Sequence, residues 1–305
     1  MHSPCITVVG GINLDITGQS FSEMILEDSN PGRVTWTYGG VGRNIAENLA
    51  RMGARVCLIT ALGDDAHTPL IRRHCEETGI DLSYSGVILN TSSGVYLSVH
   101  DANGDVRAAV SDMAICDRIT PAYLEGRLPV MNRSDLVVVE ANLPQESLLY
   151  LGSHLTVPMV ADPVSVKKSP RLLPLLPRLT AVKPNRPEAE VLSGVPIRTR
   201  ADLEAASDAI LRKGCRSVFI SLGAEGVYYS DGETRGIQPC LPGKVHNTNG
   251  CGDAFLAALA MGITGGMSLE FCARLGQAAS ALCATSPSAV SPDMEPGRLL
   301  EMAGI

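Results

Sequence analysis

Residues 43–60 read RNIAENLARMGARVCLIT. The first ten are amphipathic with helical spacing, Gly53 suits a left-handed helix cap, and 56–60 is a short apolar run of strand type. The same grammar recurs twice. Residues 74–78 lead through Gly79 to Ile-Asp-Leu, and 201–213 lead through Gly214 to the strand-like 217–221. Helix, glycine, strand is the second half of a βαβ unit. Further apolar runs lie at 6–10, 136–140, 159–162 and 180–183. The spacing predicts an α/β fold, with a mostly parallel sheet and helices on both faces.

One region departs from this pattern. Around 94–110, two alternating runs flank Asp101-Ala102-Asn103-Gly104, a hairpin signal. The hairpin can be an antiparallel edge of the main sheet or part of a small lid over a site. The Pro-rich but apolar stretch 170–177 reads as a packed connection, and no repeat or flexible linker is visible.

The chain has 305 residues, 45% hydrophobic and only 4% aromatic, so its core is built from aliphatic side chains. A net charge of -7 disfavours a long polyanion such as RNA or DNA as partner. Nine cysteines without metal-ligand or CxxC spacing read as reduced thiols. The first residues lack a basic segment followed by an apolar one, and no apolar run reaches the ~18 residues of a membrane span. These features predict a soluble, cytoplasmic protein without a membrane partner.

Two common nucleotide signatures are missing. There is no GxxxxGK[ST], and GxGxxG is left incomplete after Gly39-Gly40-Val41-Gly42. Five other segments carry chemistry. Asn249-Gly250-Cys251-Gly252-Asp253 runs straight into a helix pattern. Unencumbered backbone N–H groups there suit an anion, and Asp253 beside it suits a general base; a plain N-cap Asp is the alternative. Gly39-Gly40-Val41-Gly42-Arg43-Asn44 allows close approach of a ligand, or simply a tight turn. Asn13 and Asp15 follow the first strand, where ligands sit in open α/β sheets, or form a local cap. Asn185 and Glu188, in Lys183-Pro184-Asn185-Arg186-Pro187-Glu188, can hold a hydrated metal ion or form a capping box. Ser221-Leu222-Gly223-Ala224-Glu225-Gly226 is a tight connection or the floor of a nucleotide site.

In this order the five segments resemble the PfkB carbohydrate kinases, the ribokinase-like family, across essentially the whole chain. GGVGRN and NGCGDAF are similar to that family's two signatures. The resemblance implies one kinase domain over 1–305, with a β lid from parts of about 14–40 and 90–115. ATP with Mg2+ are the implied co-substrates. Asp253 is then the base, and Gly250, Cys251 and Gly252 form the anion hole. Asn13, Asp15, Ser29, Asn30, Gly39, Gly40, Asn44 and Lys168 hold the acceptor. Asn185, Glu188, Ser221, Gly223, Gly226 and Gln277 serve ATP, with Glu188 on Mg2+ through water. The expected assembly is a homodimer through the lid. Two departures stand out: Cys251 occupies a position usually held by Ala, and Asn247 one where many members carry an Asp that aids monovalent-cation binding, which leaves potassium activation open.

Within the family, Asp28-Ser29-Asn30-Pro31-Gly32, Asp112-Met113 and Asp162-Pro163-Val164-Ser165 are most similar to pseudouridine kinases. The implied reaction is ATP-dependent phosphorylation of a ribonucleoside 5'-hydroxyl. The alternatives are a kinase for ribose or an ordinary nucleoside, and a non-catalytic nucleoside sensor. A fused sensor would need a DNA-binding module, for which the sequence ahead of Ile6 offers no room. A dehydrogenase is disfavoured by the incomplete glycine fingerprint.

Overall fold

Short, fully apolar runs such as Val8-Val9 and Val137-Val138-Val139 cannot present a polar face, so their sheet must be covered on both sides. The computed structural model describes residues 3–243 and 245–304. Its nine-stranded sheet runs, edge to edge, Arg235–Gln238, Val227–Ser230, Val218–Ser221, Ala181–Val182, Met159–Asp162, Leu136–Glu140, Cys5–Val9, Arg55–Ile59 and Ile80–Asp81. All neighbours are parallel except at Val227–Ser230, which pairs antiparallel on both sides. Alternate residues serve opposite cores. Ile6, Val8, Leu136 and Val138 pack in one cluster, and Val9, Val137 and Val139 in the other. Helices cover both faces, as the sequence pattern predicts. Gly53, Gly79 and Gly214 all have positive φ, at 86°, 78° and 101°.

The Asp101–Gly104 hairpin is not an edge of that sheet. Its strands, Gly94–His100 and Val106–Asp112, join Asn13–Ser20 and Gly32–Gly39 in a separate four-stranded sheet. The reason lies in strand Asn13–Ser20: the chain leaves the main sheet after Val9, and residues Asn13 to Gln19 then pair with Gly94–His100. Residues 170–177 fall in a 3-10 helix, Ser169–Arg178, with Leu172, Leu175 and Leu176 buried.

A buried charge cluster joins the two sheets. Arg43 is 3% exposed, and its Nη1 is 2.7 Å from Glu47 Oε2. Arg51 Nη2 and His74 Nε2 lie 2.8 and 3.2 Å from the same carboxylate. The Arg43 guanidinium also donates to the carbonyls of Tyr38 and Gly39, at the end of the second sheet. The Tyr38 ring stacks on His74 with centroids 3.9 Å apart. Burial alone would raise the Glu47 carboxyl, but His74, Arg43 and Arg51 outweigh it and hold it at about 2.

An unfolded Glu47 titrates near 4.5, so its contribution is complete above that pH and is lost as the pH falls toward 2. Glu47→Gln leaves Arg43 buried without its counter-charge and should cost on the order of 3 kcal/mol at pH 7. Denaturant melts of both proteins between pH 7 and pH 3 check this. The gap should narrow below about pH 4.5; identical midpoints at pH 7 would contradict it.

Candidate active site

Helix Cys251–Thr264 begins in a backbone conformation that few residues tolerate. Its N-cap is Gly250, at φ 81°, and a β-carbon there would collide with the Ala289 carbonyl. No side chain caps this helix start; the Cys251 N–H turns back to Thr248 O at 3.3 Å, which leaves the N–H groups of Gly252 and Asp253 for a ligand. Asp253 is therefore not the N-cap. It stands three residues further on, in the first turn of the helix.

The other glycine segment meets it. Gly40, at φ 97°, caps helix Val41–Arg51 and aims Asn44 at Asp253, so that Asn44 Nδ2 donates to Asp253 Oδ2 at 2.7 Å. Asn44 Oδ1 is buried and has no hydrogen-bond partner among the described residues. An orphaned amide oxygen beside a carboxylate is costly unless a ligand donor fills it. A hydroxyl between the two groups would donate to one of them.

A cavity of about 780 Å³ opens on this point. Cys251, Gly252 and Asp253 line it together with Asn185, Glu188, Ser221, Gly223, Gly226 and Gln277. The structure thus gathers Asp253 and the residues of the nucleotide group around one space. Ser221–Gly226 links antiparallel strands and forms part of the wall. Asn185 and Glu188 do form a capping box, with bonds of 2.9 Å in both directions. They line the cavity as well, and burial raises the Glu188 carboxyl. Gly39, Asp15 and Asn13 sit together at one end of the second sheet. Asn13 Nδ2 donates to Asp15 Oδ1 at 2.5 Å, and burial raises the Asp15 carboxyl. The Lys168 ammonium donates to Asn142 Oδ1. The Asn142 N–H in turn donates to Glu140 Oε2 at 2.6 Å, and Glu140 Oε1 accepts from Gly11 N at 2.7 Å.

Of the expected acceptor residues, Asn13, Asp15, Gly39, Gly40 and Lys168 do not line this cavity, and two others lie in a separate turn. Ser29 and Asn30 lie in the exposed turn before Gly32–Gly39, and neither lines the cavity. The Asn30 amide is spent on its own loop, accepting from Ile25 N and donating to Ile25 O, both at 2.8 Å. Asn247 is spent in a similar way, on Asn249 N and Pro287 O.

Burial among acids is the chief electrostatic feature. It raises the Asp253 carboxyl to about 7, with Asp162 pushing the same way and Asn44, Lys183 and Arg43 holding it down. A carboxylate at that value can exchange protons near neutrality. The sequence reading overlooked Lys183, Asp162 and Glu140 as site residues. A charged residue ending an apolar run that forms a parallel strand was the available signal. Cys283 was overlooked too. A hydrogen bond from its thiol is the first cause of the lowering of the Cys251 thiol, while its Sγ also lies 3.2 Å from Ala289 O and 3.4 Å from Asn249 O. A second hollow, of about 680 Å³ near Leu149 and Pro174, has Arg178 on its wall. That guanidinium is used on Gly152 O and Leu155 O at 2.7 and 2.8 Å, a structural arrangement.

An open helix start beside a near-neutral carboxylate, facing a cavity large enough for a nucleotide, defines a phosphotransferase-type site. Residues 5–295 match the model of the pfkB family carbohydrate kinases, and the chain belongs to that family. It is 32% identical to a pseudouridine kinase of Escherichia coli (strain K12), over 97% of this chain and 96% of the relative. It is 29% identical to a ribokinase of Bacillus subtilis (strain 168), over 92% and 93%. The solved structure of Arabidopsis thaliana ribokinase complexed with ribose and ATP superposes with a TM-score of 0.87 at 22% identity, over 100% of each chain. The fold is therefore ribokinase-like.

Cys251 lines the cavity and carries a lowered thiol, whereas Cys57, Cys75, Cys116 and Cys215 are each raised to about 12. Brief alkylation at neutral pH should label Cys251 and exposed Cys240 well before those four. Cys283→Ala should slow labelling of Cys251 several-fold. Peptide mapping reads both; an unchanged Cys251 rate in that variant would remove Cys283 as the cause.

Proposed function

We propose that this protein is an ATP-dependent nucleoside kinase that phosphorylates the 5'-hydroxyl of pseudouridine, with Asp253 as the base. One juxtaposition carries the reading. Asp253, raised to about 7, is bonded to Asn44, whose second amide atom lacks a partner, at a glycine-opened helix start. In this reaction the acceptor hydroxyl gives its proton to Asp253, and its oxygen attacks the γ-phosphorus of ATP. The bond from that phosphorus to the β,γ-bridging oxygen breaks and ADP leaves. The N–H groups of the 250–252 segment take up the charge of the transferring group. Asn13, Asp15, Gly40 and Asn44 hold the sugar, and Lys168 stands behind them through Asn142 and Glu140.

Mg2+ fits the chemistry of the donors. Among the described residues no group of three or more His, Cys, Asp or Glu forms a metal cage. Mg2+ is commonly held by one or two carboxylates, waters and substrate phosphates. Glu188 spends Oε2 on Asn185 N and keeps its other oxygen for a hydrated ion. When bound, the ion neutralises phosphate charge; the proton still goes to Asp253.

The second sheet suits a lid. Its strands alternate, so the face bearing Asn13 and Asp15 also bears Thr17, Thr35, Thr37 and Ser98. Hydroxyls on that face offer donors and acceptors to a nucleobase. The similarity to pseudouridine kinase supports the choice of base, and the similarity to ribokinase makes ribose the leading competitor.

Coupled ATP-consumption assays with pseudouridine, uridine, adenosine and ribose test the reading. The highest kcat/KM is expected for pseudouridine. A better substrate among the other three overturns the substrate, and no turnover with any overturns the kinase. Asp253→Asn should lower kcat on the order of 10²–10⁴-fold.

The opposite face of the lid sheet carries Val34, Trp36, Leu97 and Val110, all exposed. An apolar face of this kind on a soluble domain marks an interface, and a second copy placing the same face against it buries both symmetrically. Sedimentation should show a dimer that Trp36→Glu converts to monomer. A monomeric wild-type protein at micromolar concentration contradicts it.

A further inference from the structure

Lys183 has no role in the scheme above, and its position is unusual. It ends strand Ala181–Val182 on the cavity side, and its side chain is 7% exposed. A β-carbon placed on Gly252 would stand 2.9 Å from Lys183 Nζ. The ammonium therefore lies directly against the first turn of helix Cys251–Thr264. That is the positive end of the helix dipole, where a cation is repelled and an anion attracted. A buried cation held against like charge costs free energy unless an anion joins it.

Asp162 alone does not explain the placement. Its Oδ2 is 3.2 Å from Lys183 Nζ, and it is the only ion-pair partner of Lys183 among the described residues. An ammonium has three donors, so this pair leaves others directed elsewhere. The Asp162 carboxylate is itself fixed at a cost. Its Oδ1 accepts from Val164 N at 2.7 Å, and Val164 has φ 65°, a strained value for a β-branched residue. Strain of this kind persists where the surroundings over-determine it, and it gathers at functional sites. Burial would lower the Lys183 ammonium, but Asp162, Glu188 and Asp253 outweigh it, so it stays charged.

We infer that Lys183 is a catalytic residue, a cation that Asp162 positions against the Gly252 backbone to bind the transferring phosphoryl group alongside the helix N–H groups. This rests on the kinase reading of the site and adds a side chain to an anion site otherwise made of backbone. The charge of the transferred group grows on its equatorial oxygens, and a fixed ammonium there acts most strongly on the transition state. ADP, which lacks the γ-phosphate, should scarcely sense Lys183.

The test uses Lys183→Met, Lys183→Arg and the double variant Asp162→Asn/Lys183→Met. The double variant removes both buried charges and guards against misfolding from an unpaired Asp162. Calorimetry measures binding of ADP and of adenylyl imidodiphosphate, each with Mg2+. Steady-state assays give kcat. We expect Lys183→Met and the double variant to lose roughly tenfold in affinity for the triphosphate analogue, one charged hydrogen bond's worth, with little change for ADP. Their kcat should fall on the order of 10²–10³-fold, and Lys183→Arg should recover part of it. Equal losses for ADP and the analogue, or a folded double variant with wild-type kcat, overturns the assignment. If the wild-type protein transfers no phosphoryl group to any acceptor, the kinase reading fails, and the split between ADP and the analogue still decides whether Lys183 meets the third phosphate.

Discussion

The bond from Asn44 Nδ2 to Asp253 Oδ2 joins two parts of the chain 209 residues apart. Each partner stands in the first turn of a helix opened by a glycine of positive φ. Neither helix start is capped by a side chain; the Arg43 N–H is taken up by Gly11 O and the Cys251 N–H by Thr248 O, and Gly252 and Asp253 line the cavity. Every other feature of the site takes its place around that bond. The cavity lies on the Cys251 side, Asn13 and Asp15 lie on the Gly40 side, and the carboxylate stands at the junction.

The charges around the junction form a graded set. Glu140, Asp162 and Lys183 end neighbouring or near-neighbouring strands of the main sheet, all on its carboxyl edge. Glu140 fixes backbone at Gly11 and Asn142, and Asp162 fixes Lys183. Burial and Asp162 raise Asp253, while Lys183 and Arg43 restrain the rise. Arg43 also belongs to the cluster with Glu47 that binds the end of the four-stranded sheet, so one guanidinium serves both the frame and the field at the site. Removing either cation should therefore act on Asp253 without touching it.

The fold was legible because helix, glycine and strand follow one another within residues such as 43–60, where hydrophobic period and cap agree. Asp253, Asn44, Asn185 and Glu188 were legible as candidates because glycine and proline mark the backbone that holds them. Lys183, Asp162 and Glu140 were not, although each closes an apolar run. A single charged residue after such a run looks the same whether it leaves for solvent or turns into a crevice, and only strand order separates the two. The Arg43–Glu47 pair was hidden for a related reason: an i,i+4 pair usually lies on a solvated face, and here the end of strand Gly32–Gly39 meets it. Ser29 and Asn30 show the converse. Their polar character suits a ligand, yet Asn30 is consumed by its own turn.

The most direct measurement of the account is the pH dependence of kcat/KM for the nucleoside. Asp253 must be ionised to accept a proton, and burial lifts it from 3.8 to about 7. The rate constant should be level above neutrality and fall about tenfold per pH unit below pH 7. A profile flat down to pH 5, as an ordinary exposed carboxylate would give, contradicts the placement of Asp253 as a buried base.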